Sequence, residues 1–197
     1  MLYFFYVAAS QETWGFDPDD RGSWRVLYFD AHPDTLVRTD APPGMDKYGI
    51  FTPCAVTFST ELVLPPWDSA HIAKLHLTEE ERDSYDSLLG QIADLQSTED
   101  ELIHRLLGYP DEIQGDMELE CQLVSHGIYC GDPSGYRDPR AAGLEAGATD
   151  WRLLLQIDSD DNADMMWGDV GRIYYWIRQE DLQIRDFDST WMILQCF

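Results

Sequence analysis

At 197 residues, with 44% apolar and 13% aromatic content, the chain can bury a core of ordinary domain size and is no disordered tail. Acids outnumber bases 37 to 13, for a net charge of −24. That field repels a nucleic-acid backbone or an anionic membrane surface and favours cations or basic partners. No apolar run reaches bilayer-spanning length, and none of the four cysteines pairs as Cys-x-x-Cys. The thiols therefore read as reduced, and the protein as cytoplasmic.

Leu2–Val7 is apolar throughout and reads as a strand buried on both faces, with Trp24–Phe29 as its hairpin mate across the polar loop 11–23. A linker with Pro and Gly runs from His32 to Gly49. The β-branched stretch Ala55–Leu64 is then expected to be a strand, stopped by Pro65 and Pro66. At Thr78 the period changes. Thr78 and Glu81 form a capping box, and Tyr85, Leu88, Leu89, Ile92 and Leu95 follow at helical spacing. Thr98 and Glu101 repeat the box, which predicts a second helix through Leu107, ended by Gly108 and Pro110.

Met117–Leu123 alternates strictly, which predicts a strand with Met117, Leu119, Cys121 and Leu123 inward and Glu118, Glu120 and Gln122 in water. A short strand at Ile128–Cys130 and a surface loop or short helix over 132–150 come next. Two apolar runs, Leu153–Ile157 and Ile173–Ile177, flank an acidic loop and predict a β-hairpin near the centre of a sheet. A helical turn near Glu180–Leu182 and a last strand, Trp191–Cys196, close the chain. Strands at both ends with helices between them argue for an α+β fold. The expectation is one domain over 1–197, a mostly antiparallel sheet with a two-helix insertion in the middle of the chain.

The acidic loop carries the clearest site pattern. Asp158, Asp160, Asn162 and Asp164 stand at alternate positions, and Asp169 falls where a calcium loop of the EF-hand kind places its last ligand. Ala163 replaces the turning glycine, Asp169 replaces the bidentate Glu, and strands flank the loop, so a turn whose Asp and Asn side chains cap local amides is the other reading. Trp167-Gly168-Asp169 and Gly171 suit the same turn, since the glycines permit positive φ. Cys121, His126 and Cys130 are zinc-type ligands, but paired spacing and a fourth ligand are missing. Calcium is thus the one cofactor the sequence suggests. Nucleophile elbow, phosphate loop and dinucleotide turn are all missing from the sequence. Residues 78–120 hold fourteen acids against Arg82 and Arg105, a net of −12 that could steer a basic protein partner.

Several blocks together resemble the YwqG-like family, a bacterial family without an assigned activity. They are LYFFY at Leu2–Tyr6, WGFDPDDRGSWRVLY at Trp14–Tyr28, LLGYPDEIQGDMELECQL at Leu106–Leu123, the hairpin of Trp151–Ile177 and the final LQCF. The resemblance implies an α+β domain dominated by an antiparallel sheet. It also implies an upstream segment that this chain lacks, so an exposed sheet edge or apolar patch is expected near the first strand. An antagonist role against a toxin is implied by analogy alone. The leading expectation is a cytosolic binding module. The alternative is a metal-assisted enzyme on the Asp158–Asp169 loop. A cleft with converging acids and a shifted carboxylate would favour the enzyme, and a broad exposed aromatic patch the binder.

Overall fold

A computed structural model describes residues 1–96 and 102–197. The described strands form two antiparallel sheets. Strands β1 (Leu2–Tyr6) and β2 (Trp24–Tyr28) make a hairpin. Strands β3 (Arg105–Leu106), β4 (Trp151–Asp158), β5 (Arg172–Arg178) and β6 (Trp191–Gln195) make a four-stranded sheet in that order. The helices are α1 (Ala70–Ala73), α2 (Glu79–Gln96), α3 (Glu118–Val124), α4 (Ala141–Leu144) and α5 (Gln179–Ile184). The fold is α+β, with every described strand pairing antiparallel.

The hairpin of β4 and β5 lies at the centre of the larger sheet, in register from Trp151 opposite Arg178 to Asp158 opposite Arg172, with one shift between Leu153 and Leu155. Residues 173–177 of β5 are all buried, because both sheet faces are covered. On one face the β1–β2 hairpin packs down. Phe4 meets Tyr175 edge-on at 5.0 Å, Tyr175 donates its hydroxyl to the Phe5 carbonyl, and Trp24 meets Trp191 at 4.9 Å. On the other face lie α3 and the segment leading into it. Trp151, Leu153, Tyr174, Trp176, Ile177, Trp191 and Met192 are each at most 2% exposed, and they form the centre of the core.

Five expected elements differ. β1 is one-sided rather than doubly buried: Leu2, Phe4 and Tyr6 pack against the core, while Phe5 and Val7 face out at 53% and 44% exposure. The hairpin mate β2 repeats this pattern, leaving Leu27, Tyr28 and Phe29 partly exposed beside Phe5. Ala55–Leu64 forms no strand. Strand propensity measures fit to a half-buried pleated surface, and this stretch pairs with neither described sheet. Val56 and Phe58 stay in water. Of the expected second helix, residues 97–101 lie outside the described residues. Arg105 and Leu106 are β3, paired with Gln156 and Leu155, so sheet hydrogen bonds replace helical ones there. Ile128–Cys130 is not a strand, although Cys130 donates its amide to the Phe16 carbonyl at 2.8 Å.

The largest difference is Met117–Leu123, where the expected strand is helix α3. Asp116 turns the chain: its carboxylate accepts from the amides of Glu118 at 3.0 Å and Leu119 at 3.3 Å, satisfying donors that a helix start leaves unpaired. Met117, Cys121 and Val124 then share the buried face at i, i+4 and i+7, where alternate residues had suggested a period of two. A run of seven residues satisfies both periods. At α2 the capping box is present: Glu81 accepts from the Thr78 amide and hydroxyl, both at 2.8 Å, and donates its own amide to that hydroxyl at 3.4 Å.

Candidate functional site

The segment 111–115 crosses a sheet face, where its peptide groups need partners other than water. Side chains of the sheet supply them. Gln156 accepts from the Asp111 amide at 2.9 Å and donates to the Ile103 carbonyl at 2.7 Å. Gln195 accepts from the amides of Ile113 and Gln114, both at 3.0 Å, and donates to the Gly115 carbonyl at 3.0 Å. Tyr174 donates to the Asp111 carbonyl at 2.7 Å, and Arg172 pairs with the Asp111 carboxylate. Both glutamines are buried. This stapling fixes where α3 begins and therefore where its acids stand.

Those acids are turned inward. Glu118 is only 3% exposed, and Glu112, Asp116 and Glu120 are partly buried. Burial, then the charges of Asp68, Asp116 and Glu118, push Glu112 up to about 9. Burial and then Asp116 raise Glu120 to about 7. Asp116 is also raised by burial, against the pull of the two amides it accepts from. Among the described residues, no salt bridge reaches Asp116 or Glu120.

Asp116 and Glu120 line a cleft of about 490 Å³ between the start of α3 and β6. Trp14, Phe16, Cys130 and Tyr136 form its walls, with Ile193 and Leu194 from β6. The wall at Trp14 is held by backbone contact: Leu194 donates to the Trp14 carbonyl at 2.9 Å, and Trp191 donates its indole to the Gly15 carbonyl at 2.7 Å. Gly15 is required there. Its φ is +90°, and a Cβ would lie 1.9 Å from the Met192 carbonyl oxygen. Burial and then the Glu120 charge raise the Cys130 thiol to about 12 and the Tyr136 hydroxyl above its ordinary value. Both are protonated at neutral pH, and a protonated thiol is a poor nucleophile. The cleft can therefore receive a cation with an apolar stem, and Glu120 can exchange a proton near neutrality.

The residues that the sequence proposed for calcium are engaged separately. Asp158 is buried, ion-paired with Arg172 at 3.0 Å, and accepts from the amides of Ile103 and Ser159, both at 3.0 Å. Asp160 accepts from the Asn162 amide at 2.8 Å, Asp164 from the Thr52 hydroxyl at 2.6 Å, and the Asn162 carbonyl from the Cys54 thiol at 3.4 Å. The Asp169 carbonyl accepts from the Phe197 amide at 3.2 Å. Among the described residues, no three His, Cys, Asp or Glu side chains are grouped to hold a metal ion. In the neighbouring turn Gly168 has φ +56°, as the sequence suggests, but Val170 rather than Gly171 takes the second positive φ. Gly171 is needed for space, since a Cβ would meet the Gln195 carbonyl at 2.3 Å. All four cysteines are free; Cys121 and Cys130 are buried thiols, and His126 bonds the Gln122 carbonyl. Sequence reasoning missed the cleft because it put Glu118 and Glu120 on a wet strand face. The signal for the helix was Asp116 after Gly115, a cap residue just ahead of the run.

A family model described as a domain of unknown function, DUF1963, matches residues 1–196, and the chain belongs to that family. Among curated proteins, none matches the chain. Among the described residues, no helix is long and apolar enough to cross a membrane.

Proposed function

We propose that this DUF1963 member is a binding module that receives a basic group, the side chain of a lysine or arginine on a protein partner, in the cleft of Asp116 and Glu120. One observation carries the reading: two partly buried acids, without a paired cation among the described residues, line an open cleft walled by Trp14, Phe16 and Tyr136. Aromatic walls suit the stem and the charge of such a group, and the acids supply its counter-charge. The exposed acids of α2 would steer a basic partner toward the same protein. The finer YwqG-like resemblance, with the antagonist role it implies, and the cytoplasmic setting read from the reduced thiols are compatible with a basic protein as ligand.

A second reading is favoured by Glu120 itself. A carboxyl raised to about 7 in a cleft is suited to general acid–base work, the condition stated above for an enzyme. The binding reading is preferred because Cys130 and Tyr136, the neighbouring nucleophile candidates, are held protonated. A metal-assisted enzyme on the loop Asp158–Asp169 has less support, since Asp158 is already neutralised by Arg172. The test is calorimetry with a short arginine-rich peptide at pH 6 and pH 8. Binding is expected to be tighter at pH 8, where Glu120 is ionised, and lost in Glu120→Gln. Equal affinity in the wild type and Glu120→Gln would remove the cleft from the account.

A further inference from the structure

In a chain of 37 acids and 13 bases, two bases stand side by side with no acid on them. Lys74 follows the last residue of α1, and Arg152 is the second residue of β4. The turn ahead of β4 brings Thr149 to both. Lys74 Nζ donates to the Thr149 hydroxyl at 2.5 Å, and Arg152 Nη1 donates to the carbonyls of Thr149 and Trp151, both at 2.7 Å. Among the described residues neither cation enters a salt bridge, although Glu145 and Asp150 belong to that same turn. Like charges held this close repel each other. Their neighbours feel the field. Burial, then Arg152 and Lys74, lower His71 of α1. Glu118, the buried acid that both cations act on, is still raised to about 8 by burial and then Asp116, so near neutrality it is largely protonated and leaves their charge uncancelled.

We infer that Lys74, Arg152 and Thr149 form a binding site for the phosphate group of a small phosphate monoester. Three observations set the class. The first is the donor set. Arg152 Nη1 is anchored on two carbonyls, which fixes the guanidinium in advance and leaves Nε and Nη2 to meet an oxyanion as a fork. Lys74 keeps its other N–H donors, and the Thr149 hydroxyl, accepting from Lys74, keeps its proton to give. That is more donors and more positive charge than a carboxylate can use, and it suits the three oxygens and near-double charge of a phosphate ester. The second is the adjoining space. Arg152 lines a cavity of about 180 Å³ beside α3, together with Tyr109, Glu118, Trp151, Leu153 and Trp176. These mostly aromatic and apolar walls suit a ring-sized organic group on the ester. The third is the field of the whole chain, net −24, which turns away a polyanion and admits a compact one.

The site does not depend on the Asp116–Glu120 cleft. It is tested on the full chain at pH 7 and constant ionic strength, by following the proton–nitrogen signals of the Thr149 amide and the Arg152 Nε–H during titration. The probes are phenyl phosphate, inorganic phosphate and benzoate. A saturable movement of both signals with phenyl phosphate is expected, at least tenfold tighter than with benzoate and several-fold tighter than with inorganic phosphate. Lys74→Gln changes an exposed side chain, so it keeps the fold and is expected to weaken phenyl phosphate at least tenfold. Arg152→Gln, checked by its spectrum to be folded, is expected to do the same, followed on the Thr149 amide. Glu120→Gln, which removes the acid of the other cleft, is expected to leave this binding unchanged. No saturable movement with phenyl phosphate, or an affinity that Lys74→Gln leaves intact, overturns the inference. Benzoate or inorganic phosphate binding as tightly as phenyl phosphate overturns the monoester assignment.

Discussion

The sheet face under α3 and the stretch from Asp30 to Leu64 are built from similar kinds of residue and end differently. Both contain aromatic and β-branched side chains, yet residues 173–177 of β5 are wholly buried, whereas Val37, Val56, Phe58 and Leu62 are each more than 60% exposed. The difference is pairing. β5 has β4 on one side and β6 on the other, so each residue added to it gains ladder bonds and two covered faces. The Asp30–Leu64 stretch carries Pro33, Pro42, Pro43 and Pro53 and pairs with neither described sheet, so its propensity goes unused. Apolar composition is therefore a weak guide to the core here, and the topology decides.

That contrast breaks most visibly on truncation. Trp176→Ala is expected to cost about 3–5 kcal/mol, because a full aromatic side chain leaves a packed interior. Phe58→Ala, at 81% exposure, is expected to stay within about 0.5 kcal/mol. Denaturant melts of the two variants measure both. A comparable loss in each would mean that the exposed stretch is packed in solution.

A second expectation concerns pH, and its largest contributions arise on the α3 side. Glu112, Glu118 and Glu120 have folded values near 9, 8 and 7 against an ordinary value of 4.5, so between 4.5 and those values the folded chain holds protons that the unfolded chain has released. Stability is then greatest toward pH 5 and is lost as pH rises through 7 to 9. Asp138, held at about 2 by Arg140, acts in the opposite sense but only below the ordinary Asp value, outside this window. The melting temperature is expected to drop by roughly 5–10 °C from pH 5 to pH 8, after discounting for partial exposure. Glu112→Gln and Glu120→Gln together should flatten that slope. A melting temperature that rises over the same interval would contradict the buried-acid assignment.

Glycines sharpen the comparison on a smaller scale. Gly15 and Gly44 both have positive φ, at +90° and +84°, but a Cβ at Gly15 strikes the Met192 carbonyl while one at Gly44 meets open space. Gly44→Ala is expected to cost about 1 kcal/mol of backbone strain. Gly15→Ala should cost well over that and should also widen the cleft at Trp14. The smallest effect is that of calcium. Asp158, Asp160 and Asp164 of the Asp158–Asp169 loop already serve a guanidinium, an amide and a hydroxyl, so millimolar calcium is expected to leave the melting temperature unchanged. A clear rise would restore the metal site that the spacing suggests.

Much of the frame was legible in the sequence. The β4–β5 hairpin, β1, β2, the capped α2 and the last strand follow from apolar runs, turn residues and the Thr78–Glu81 box. What was not legible depended on tertiary partners. Met117–Leu123 fits two periods equally, and only the Asp116 cap, together with the stapling of 111–115 by Gln156 and Gln195, selects the helix. That single choice turns Glu118 from a solvated residue into a buried one, which is why both cavities beside α3 escaped the sequence. The inward acids also mean that the −12 charge of residues 78–120 is not all surface charge. Ala55–Leu64 failed for the converse reason, since its local preference is real but no edge receives it.

The account stands on the Glu120 carboxyl, whose burial beside Asp116 makes the cleft a receptor for a basic group. Carbon NMR of its side-chain carboxyl, titrated from pH 4 to pH 10 with and without an arginine-rich peptide, measures this directly. A midpoint near 7 in the free protein, moving clearly downward when the peptide is bound, is the expected result. A Glu120 that titrates at its ordinary value of 4.5, or whose midpoint ignores the peptide, would contradict it.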